Sequence, residues 1–138
     1  TESAWLVNHD NSKALLMNHA KLKAWMQLGG HADGNHNLLE VAVKEAQEES
    51  GMIHIVPVSG KIFDIDIHLI PANSKNKAHY HYDVRFLLQV VDDEPIVQNH
   101  ESLELRWIEK NKADLPTQSW SVVRMFEKWI KNKELLFQ

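Results

Sequence analysis

Residues 29–52 of the 138-residue chain read GGHADGNHNLLEVAVKEAQEESGM and concentrate both its acid and its glycine. Four of the five glycines lie in this segment, and its five acids are opposed by a single base, Lys44. The segment therefore carries the whole net charge of −4, and the remaining residues are together neutral. An anionic partner would need a cation in order to approach such a segment, which indicates a divalent metal.

The middle of the segment has the pattern of a helix that is buried on one side. Asn37 followed by Glu40 is typical of an N-cap with its capping-box partner. Gly51 stands where a left-handed C-terminal cap belongs. Between the caps, apolar residues recur along one stripe at positions Leu39, Ala42, Val43 and Ala46.

The same helix carries three acids at i, i+3 and i+4, namely Glu45, Glu48 and Glu49. This spacing places them within an arc of roughly 100°. A solvated acidic face is the ordinary interpretation of such a pattern on an isolated helix. The alternative is a site for a hard cation, because carboxylates on one rigid face are suitable ligands.

Outside this segment the chain predicts a mixed sheet with helices packed on it. Residues 61–70 alternate in polarity, so a half-buried strand is expected there, and Glu101 lies in an acidic loop. A hairpin is expected from residues 4–8 and 14–19. Further strands are predicted at 23–28, 79–91 and 103–108, and a second helix at 119–132.

Composition excludes several classes of protein. With 43% hydrophobic and 25% charged residues, the chain is expected to be one globular domain, residues 1–138. The absence of cysteine excludes a thiolate nucleophile and any metal site built on sulfur. The chain has no basic face for a nucleic acid duplex and no apolar run of about 18 residues for a membrane. A cytoplasmic location is therefore expected.

The spacing G-x5-H-x7-K-E-A-Q-E-E-S-G-M over residues 30–52 resembles the Nudix box of the Nudix hydrolase superfamily. That box reads G-x5-E-x7-R-E-U-x-E-E-x-G-U, where U is a bulky apolar residue. Two positions depart from it, since His36 replaces the first glutamate and Lys44 replaces the arginine. The motifs GGHADG (29–34) and HYHYDVRF (79–86) are similar to a little-characterised, MutT-like subfamily with GGHxDG and HxHxDxRF motifs. Six positions match the box: Gly30, Glu45, Glu48, Glu49, Gly51 and Met52.

The resemblance implies an α+β fold, an α/β/α sandwich with a mixed central sheet and the Nudix loop–helix–loop. It also implies a metal-binding hydrolase of the nucleotide pyrophosphatase type, with Mg²⁺ or Mn²⁺ as cofactor. Such an enzyme cleaves the diphosphate linkage of a nucleoside diphosphate joined to another group, so the expected partner is a small-molecule nucleotide. A homodimer is compatible with this interpretation.

Site residues carry over by position. The resemblance implies that Glu48 and Glu49 are the principal metal ligands, with Glu45 and the carbonyl of Gly29 as further ligands. Glu45 and Glu49 are also expected to be catalytic. Glu101, six residues before Trp107, is a candidate catalytic or ligating acid from a later loop. Glu104 is the alternative, and a solvated loop acid is the plain interpretation of Glu101.

The histidine-rich strand is open to three interpretations: the polar face of a sheet, a wall that contacts the substrate, or a second metal site. The candidate substrate contacts are Trp25, His79, His81 and Arg85. Trp25 could stack on a base, although tryptophan is more often a core residue.

Two other functions are considered. A nucleotide-binding or regulatory module with weak or no turnover is the alternative, and the altered positions His36 and Lys44 are its only support. An isomerase of the isopentenyl diphosphate type on this fold would need a catalytic cysteine, and the chain has none.

Overall fold

Eight strands form a mixed sheet between two helices in the computed structural model, which describes residues 1–132. The strands are β1 (Glu2–Val7), β2 (Lys13–His19), β3 (Trp25–Met26), β4 (Leu28–Gly30), β5 (Ile55–Pro57), β6 (Asp64–Ile70), β7 (His79–Val90) and β8 (Ser102–Glu109). The helices are α1 (Leu38–Ser50) and α2 (Trp120–Lys131), preceded by a short 3-10 turn at Lys112–Asp114. Neither helix in this part of the chain is long and apolar enough to cross a membrane.

Strand β1 holds the sheet together at its centre. It pairs with β2, in the predicted hairpin, and with β4 in antiparallel fashion, and it pairs with β7 in parallel. The path runs β3-β2-β1-β7-β5, with β6 on β7 and β8 on β2. One parallel pair among antiparallel pairs makes the sheet mixed, which confirms the α+β prediction.

The sheet is covered on both faces because alternate residues of β1 point to opposite sides. Ala4 and Leu6 belong to the cluster that packs against α1, whereas Trp5 and Val7 pack against α2. All four are fully buried. A central strand buried on both faces is typically a continuous apolar run, and residues 4–7 of β1 have this pattern.

Helix α1 begins and ends where the sequence predicts. The Asn37 side chain accepts a hydrogen bond from the Glu40 N–H at 3.1 Å. The second hydrogen bond of a capping box, from the Asn37 N–H to the Glu40 carboxylate, is replaced. The Asn37 N–H donates to Asn35 Oδ1, and the Glu40 carboxylate accepts from the side-chain amide of Asn37. Gly51 adopts φ 76° and donates its N–H to the carbonyl of Gln47.

Strand β6 corrects the expectation of a half-buried strand with an apolar inner face. Its apolar residues face outward, with Ile65, Ile67 and Leu69 46–55% exposed, while Asp64 is buried. The physical reason lies on the opposite face, where α2 presents Arg124 to the carboxylate of Asp64. The sequence also gave no sign of the short strand β5.

Asp64 is the centre of a buried ionic network between the β6–β7 hairpin and α2. It accepts hydrogen bonds from Arg85 at 3.1 Å, from Arg124 at 2.7 Å and from Lys128. Arg85 also contacts Asp66 and Asp83. Burial alone would raise the pKa of Asp64, but the hydrogen bonds from Arg124 and Lys128 lower it from 3.8 to about 2.

This network predicts a specific acid sensitivity. A carboxylate whose pKa is lower in the folded state stabilises the fold above pH 3.8, and this stabilisation is lost as the pH falls towards about 2. Asp64→Asn should lower the free energy of unfolding at pH 7 by about 3 kcal/mol, because the buried guanidinium of Arg85 loses a carboxylate partner and Arg124 and Lys128 lose theirs at the edge of the network. Urea titrations between pH 2 and pH 7 should show a flatter pH dependence for the variant. Equal slopes in the two proteins would contradict the assignment.

Candidate active site

The glycine strand β4 is joined to helix α1 by a buried carboxylate. Glu49, only 2% exposed, accepts a hydrogen bond from the Gly29 N–H at 2.8 Å. Its second oxygen, Oε2, is buried without a hydrogen-bond partner among the described residues. Burial, together with the negative charges of Glu101, Glu45 and Glu48, raises the pKa of Glu49 to about 8, although the hydrogen bond from Gly29 lowers it.

Glu45 lies against the next glycine of the strand. A Cβ added to Gly30 would stand 2.9 Å from Glu45 Cδ, so the missing side chain leaves the space that the carboxylate occupies. Burial raises the pKa of Glu45, and Glu48 and Glu101 add to this effect. Glu48 is exposed on the same helix. The three acids that the sequence placed on one arc are therefore in three different environments.

Glu101 is brought to these acids by the loop before β8. The loop is fixed to the end of α1 by the Val97 N–H, which donates to the carbonyl of Ser50 at 2.7 Å. At its other end, the carbonyl of Glu101 accepts from the Ala20 N–H at 2.9 Å. Glu104, the alternative acid, pairs instead with Arg106 and does not line the adjoining cleft.

A cleft of about 1060 Å³ opens beside the glycine strand. Six of the candidate site residues predicted from the sequence line this cleft, whereas Glu48, Glu49 and His79 do not. The six are Trp25, Gly29, Glu45, His81, Arg85 and Glu101.

The two polar motifs 64–68 and 79–85 form one wall of this cleft. Cross-strand pairing sets His68 opposite His81 and Asp66 opposite Asp83. The two imidazole rings lie 5.0 Å apart, and His81 Nδ1 is buried without a partner among the described residues. Burial lowers the pKa of His81, so the ring favours its neutral form. His79 is exposed at the end of the strand, where its Nδ1 lies 2.9 Å from the carbonyl oxygen of Lys77.

Arg85 lines the cleft but its guanidinium is used within the protein. Nε donates to Asp83, Nη1 donates to Asp64, and both Nη atoms contact Ser121 of α2. At 2% exposure, Arg85 therefore braces the wall against α2. A direct contact of Arg85 with a phosphate stays a prediction.

Trp25 lines the cleft from edge strand β3. In the strand order of the sheet, β3 lies on the other side of β1 from β6 and β7, which carry the wall. The guanidinium of Arg106 lies over its ring, 4.5 Å from the centroid. The ring is half-buried, so it combines a core contact with a surface that faces the cleft.

Sequence reasoning missed the carboxylate of Glu2. This residue is fully buried in β1 and lines the cleft. Burial raises its pKa to about 7. The alternation of side chains along a strand could have revealed it. Glu2 lies on the same face of β1 as Ala4 and Leu6, both of which are core residues.

The carboxylates suit a hard divalent cation by their chemistry. The orphaned Glu49 Oε2 and the acids around it would be relieved of mutual repulsion by a positive ion, and oxygen ligands are those that Mg²⁺ prefers. Within residues 1–132, no three His, Asp or Glu side chains are arranged so that they could hold a metal ion. The donor types fit, and binding would require side-chain rotation.

Comparison with known proteins identifies the family. The NUDIX domain matches residues 2–129, so the chain belongs to the NUDIX family. This confirms the family predicted from residues 30–52. The two positions that depart from the box, His36 and Lys44, are exposed in the structure.

Solved structures of similar fold cover most of the chain. A NUDIX family hydrolase from Clostridium perfringens is 25% identical, with a TM-score of 0.67, and the alignment covers 93% of each chain. The E. coli dihydroneopterin triphosphate pyrophosphohydrolase has a TM-score of 0.70 at 15% identity, with 94% of this chain and 92% of that chain covered. A C. elegans Ap4A hydrolase has a TM-score of 0.71 at 14% identity, covering 93% and 92%.

One curated relative is similar in sequence over part of its length. A probable DHNTP pyrophosphohydrolase of Lactococcus lactis subsp. cremoris is 32% identical over 84 residues, which are 59% of this chain. The match spans 49% of the relative, or about half its length.

The two glycines of β4 should respond differently to alanine. A Cβ at Gly29 would stand 2.5 Å from Ser3 Cβ and 2.6 Å from the Glu2 carbonyl oxygen, so the backbone must move. Gly29→Ala should therefore cost about 1–3 kcal/mol of unfolding free energy. Gly30→Ala meets only the flexible end of Glu45 and should cost clearly less. Urea unfolding measures both, and a larger loss for Gly30→Ala would contradict this geometry.

Proposed function

We propose that the protein is a divalent-metal-dependent hydrolase that cleaves a phosphoric anhydride bond in a nucleotide or nucleotide-like diphosphate. The observation that carries the proposal is the convergence of Glu45 and the buried Glu49 on Gly29 and Gly30 at one end of the cleft. Membership of the NUDIX family supports it, as does the name of the Lactococcus relative.

Each acid has a role that its environment suits. Glu48, Glu49 and the carbonyl of Gly29 would hold Mg²⁺ or Mn²⁺, with Glu45 as a further ligand or as the group that orients the attacking water. A bound cation would neutralise diphosphate oxygens and make water a stronger nucleophile at neutral pH. Glu101 enters from the opposite loop and is proposed as the acid or base that completes the site.

The rest of the cleft is proposed to bind the group attached to the diphosphate. Trp25 offers a planar apolar surface for a base or pterin ring, and His81 offers an imidazole nitrogen without a protein partner. Arg85 positions the histidine wall through its contacts with Asp83 and Ser121. Hydrolysis of the anhydride bond consumes one water molecule and releases two products, each of which keeps one of the two phosphates that the bond joined.

The assignment of Glu49 can be tested with a substrate panel. Nucleoside triphosphates, nucleotide sugars, ADP-ribose, dinucleoside polyphosphates and dihydroneopterin triphosphate would be incubated with the protein and Mg²⁺. At least one should give products that EDTA suppresses. Glu49→Gln should lower that turnover by at least about a hundredfold, because the variant loses a metal ligand.

The matched control for this test is Glu127→Gln, which removes the same charge from α2, where Glu127 pairs with Lys112. It should keep its activity. Unchanged turnover in Glu49→Gln would contradict the proposal that Glu49 is a metal ligand. Metal-dependent binding without product across the panel would favour the binding module over the enzyme.

The histidine wall supplies its own matched pair of variants. His81→Ala removes a ring that lines the cleft and should raise KM about threefold to tenfold, the value of one hydrogen bond. His79→Ala changes a ring on the same strand that does not line the cleft and should leave KM nearly unchanged. Steady-state kinetics on the best panel substrate compares the two. A larger effect for His79→Ala would overturn this reading of the wall.

A further inference from the structure

Glu2 is the most fully buried carboxylate in the described part of the chain. None of its surface is exposed, and neither Oε1 nor Oε2 has a hydrogen-bond partner among residues 1–132. The ammonium group of Thr1 interacts favourably with the charge of Glu2, but it donates its hydrogen bond to the Tyr82 carbonyl at 3.1 Å and leaves both Glu2 oxygens without a donor. A buried carboxyl without donors is costly, so this position needs a compensating partner.

The strand register places Glu2 beside the acids of the proposed metal site. Glu2 is the direct antiparallel partner of Gly30, and side chains at such paired positions leave the same face of a sheet about 5 Å apart. The carboxylate of Glu45 occupies the space that a Gly30 side chain would fill. Glu2 and Glu45 therefore face the same small region from β1 and α1.

A second carboxylate with an orphaned oxygen borders this region. Gly29, the neighbour of Gly30, donates its N–H to Glu49 Oε1, and Glu49 Oε2 is buried without a partner among the described residues. Two buried carboxylates with unsatisfied oxygens thus flank the two glycines of β4. A divalent cation bound between them would compensate negative charge on both groups.

We propose that Glu2 is an additional carboxylate of the divalent-cation site, supplied by β1 and not by the Nudix box. The inference rests on the proposed function.

The test measures cation binding directly and does not depend on turnover. Mn²⁺ would be titrated into the purified protein at pH 7.5, and free Mn²⁺ would be followed by its electron paramagnetic resonance signal. Glu2→Gln should weaken Mn²⁺ binding by at least about tenfold, as expected when a carboxylate at a metal site is lost. Glu127→Gln, which removes the same charge on the far side of the sheet, should bind like the wild type.

A second variant covers the case in which Glu2→Gln fails to fold. Glu2→Ala removes the carboxyl group without burying the amide that Glu2→Gln introduces. Circular dichroism checks that each variant is folded. Thermal unfolding with and without Mn²⁺ gives a second readout, in which the Mn²⁺-induced rise in Tm should shrink in both variants. Wild-type affinity in a folded Glu2 variant would overturn the inference.

The outcomes for the inference and for the proposed function are separable. If the wild-type protein binds Mn²⁺ and Glu49→Gln does not, while Glu2→Gln binds normally, the metal site stands and the role of Glu2 fails. If the wild type itself binds no Mn²⁺, the proposed function fails together with the inference.

Discussion

The hydrogen bond from the Gly29 N–H to Glu49 is the contact on which the site depends. It joins β4, a short strand paired with the central strand β1, to the last turns of α1, and it does so with a carboxylate that is almost fully buried. A side chain at Gly29 would collide with β1, so the close approach requires glycine. The acids of α1 are consequently held against the sheet, where their mutual repulsion favours a cation.

The β6–β7 hairpin shows how tertiary contacts can overrule a local pattern. Alternation along β6 indicated a strand with its apolar side inward, and the strand exists with the opposite orientation. Arg85 and Arg124 determine the orientation of β6, because their ion pairs with Asp64 and Asp66 hold these carboxylates on the face that packs against α2. The same choice aligns the histidines with the cleft.

Local signals made much of the fold predictable. Asn37 and Gly51 cap α1 through contacts within a few residues, so its limits could be read from the sequence. The cleft was less accessible, because its walls come from distant segments. Glu2 meets Gly30 only through strand pairing, and no pattern along the chain announces that partner. Two of the box acids, Glu45 and Glu49, nevertheless lie against the glycine strand β4, whereas Glu48 is exposed.

The two faces of the sheet divide the molecule. The box acids belong to the α1 face, while the wall with His68 and His81 is anchored to α2 by Arg85. Substitutions along the wall change neither the caps of α1 nor the glycine strand. The composition of the wall can therefore vary without a change in the contacts that hold α1 against β4.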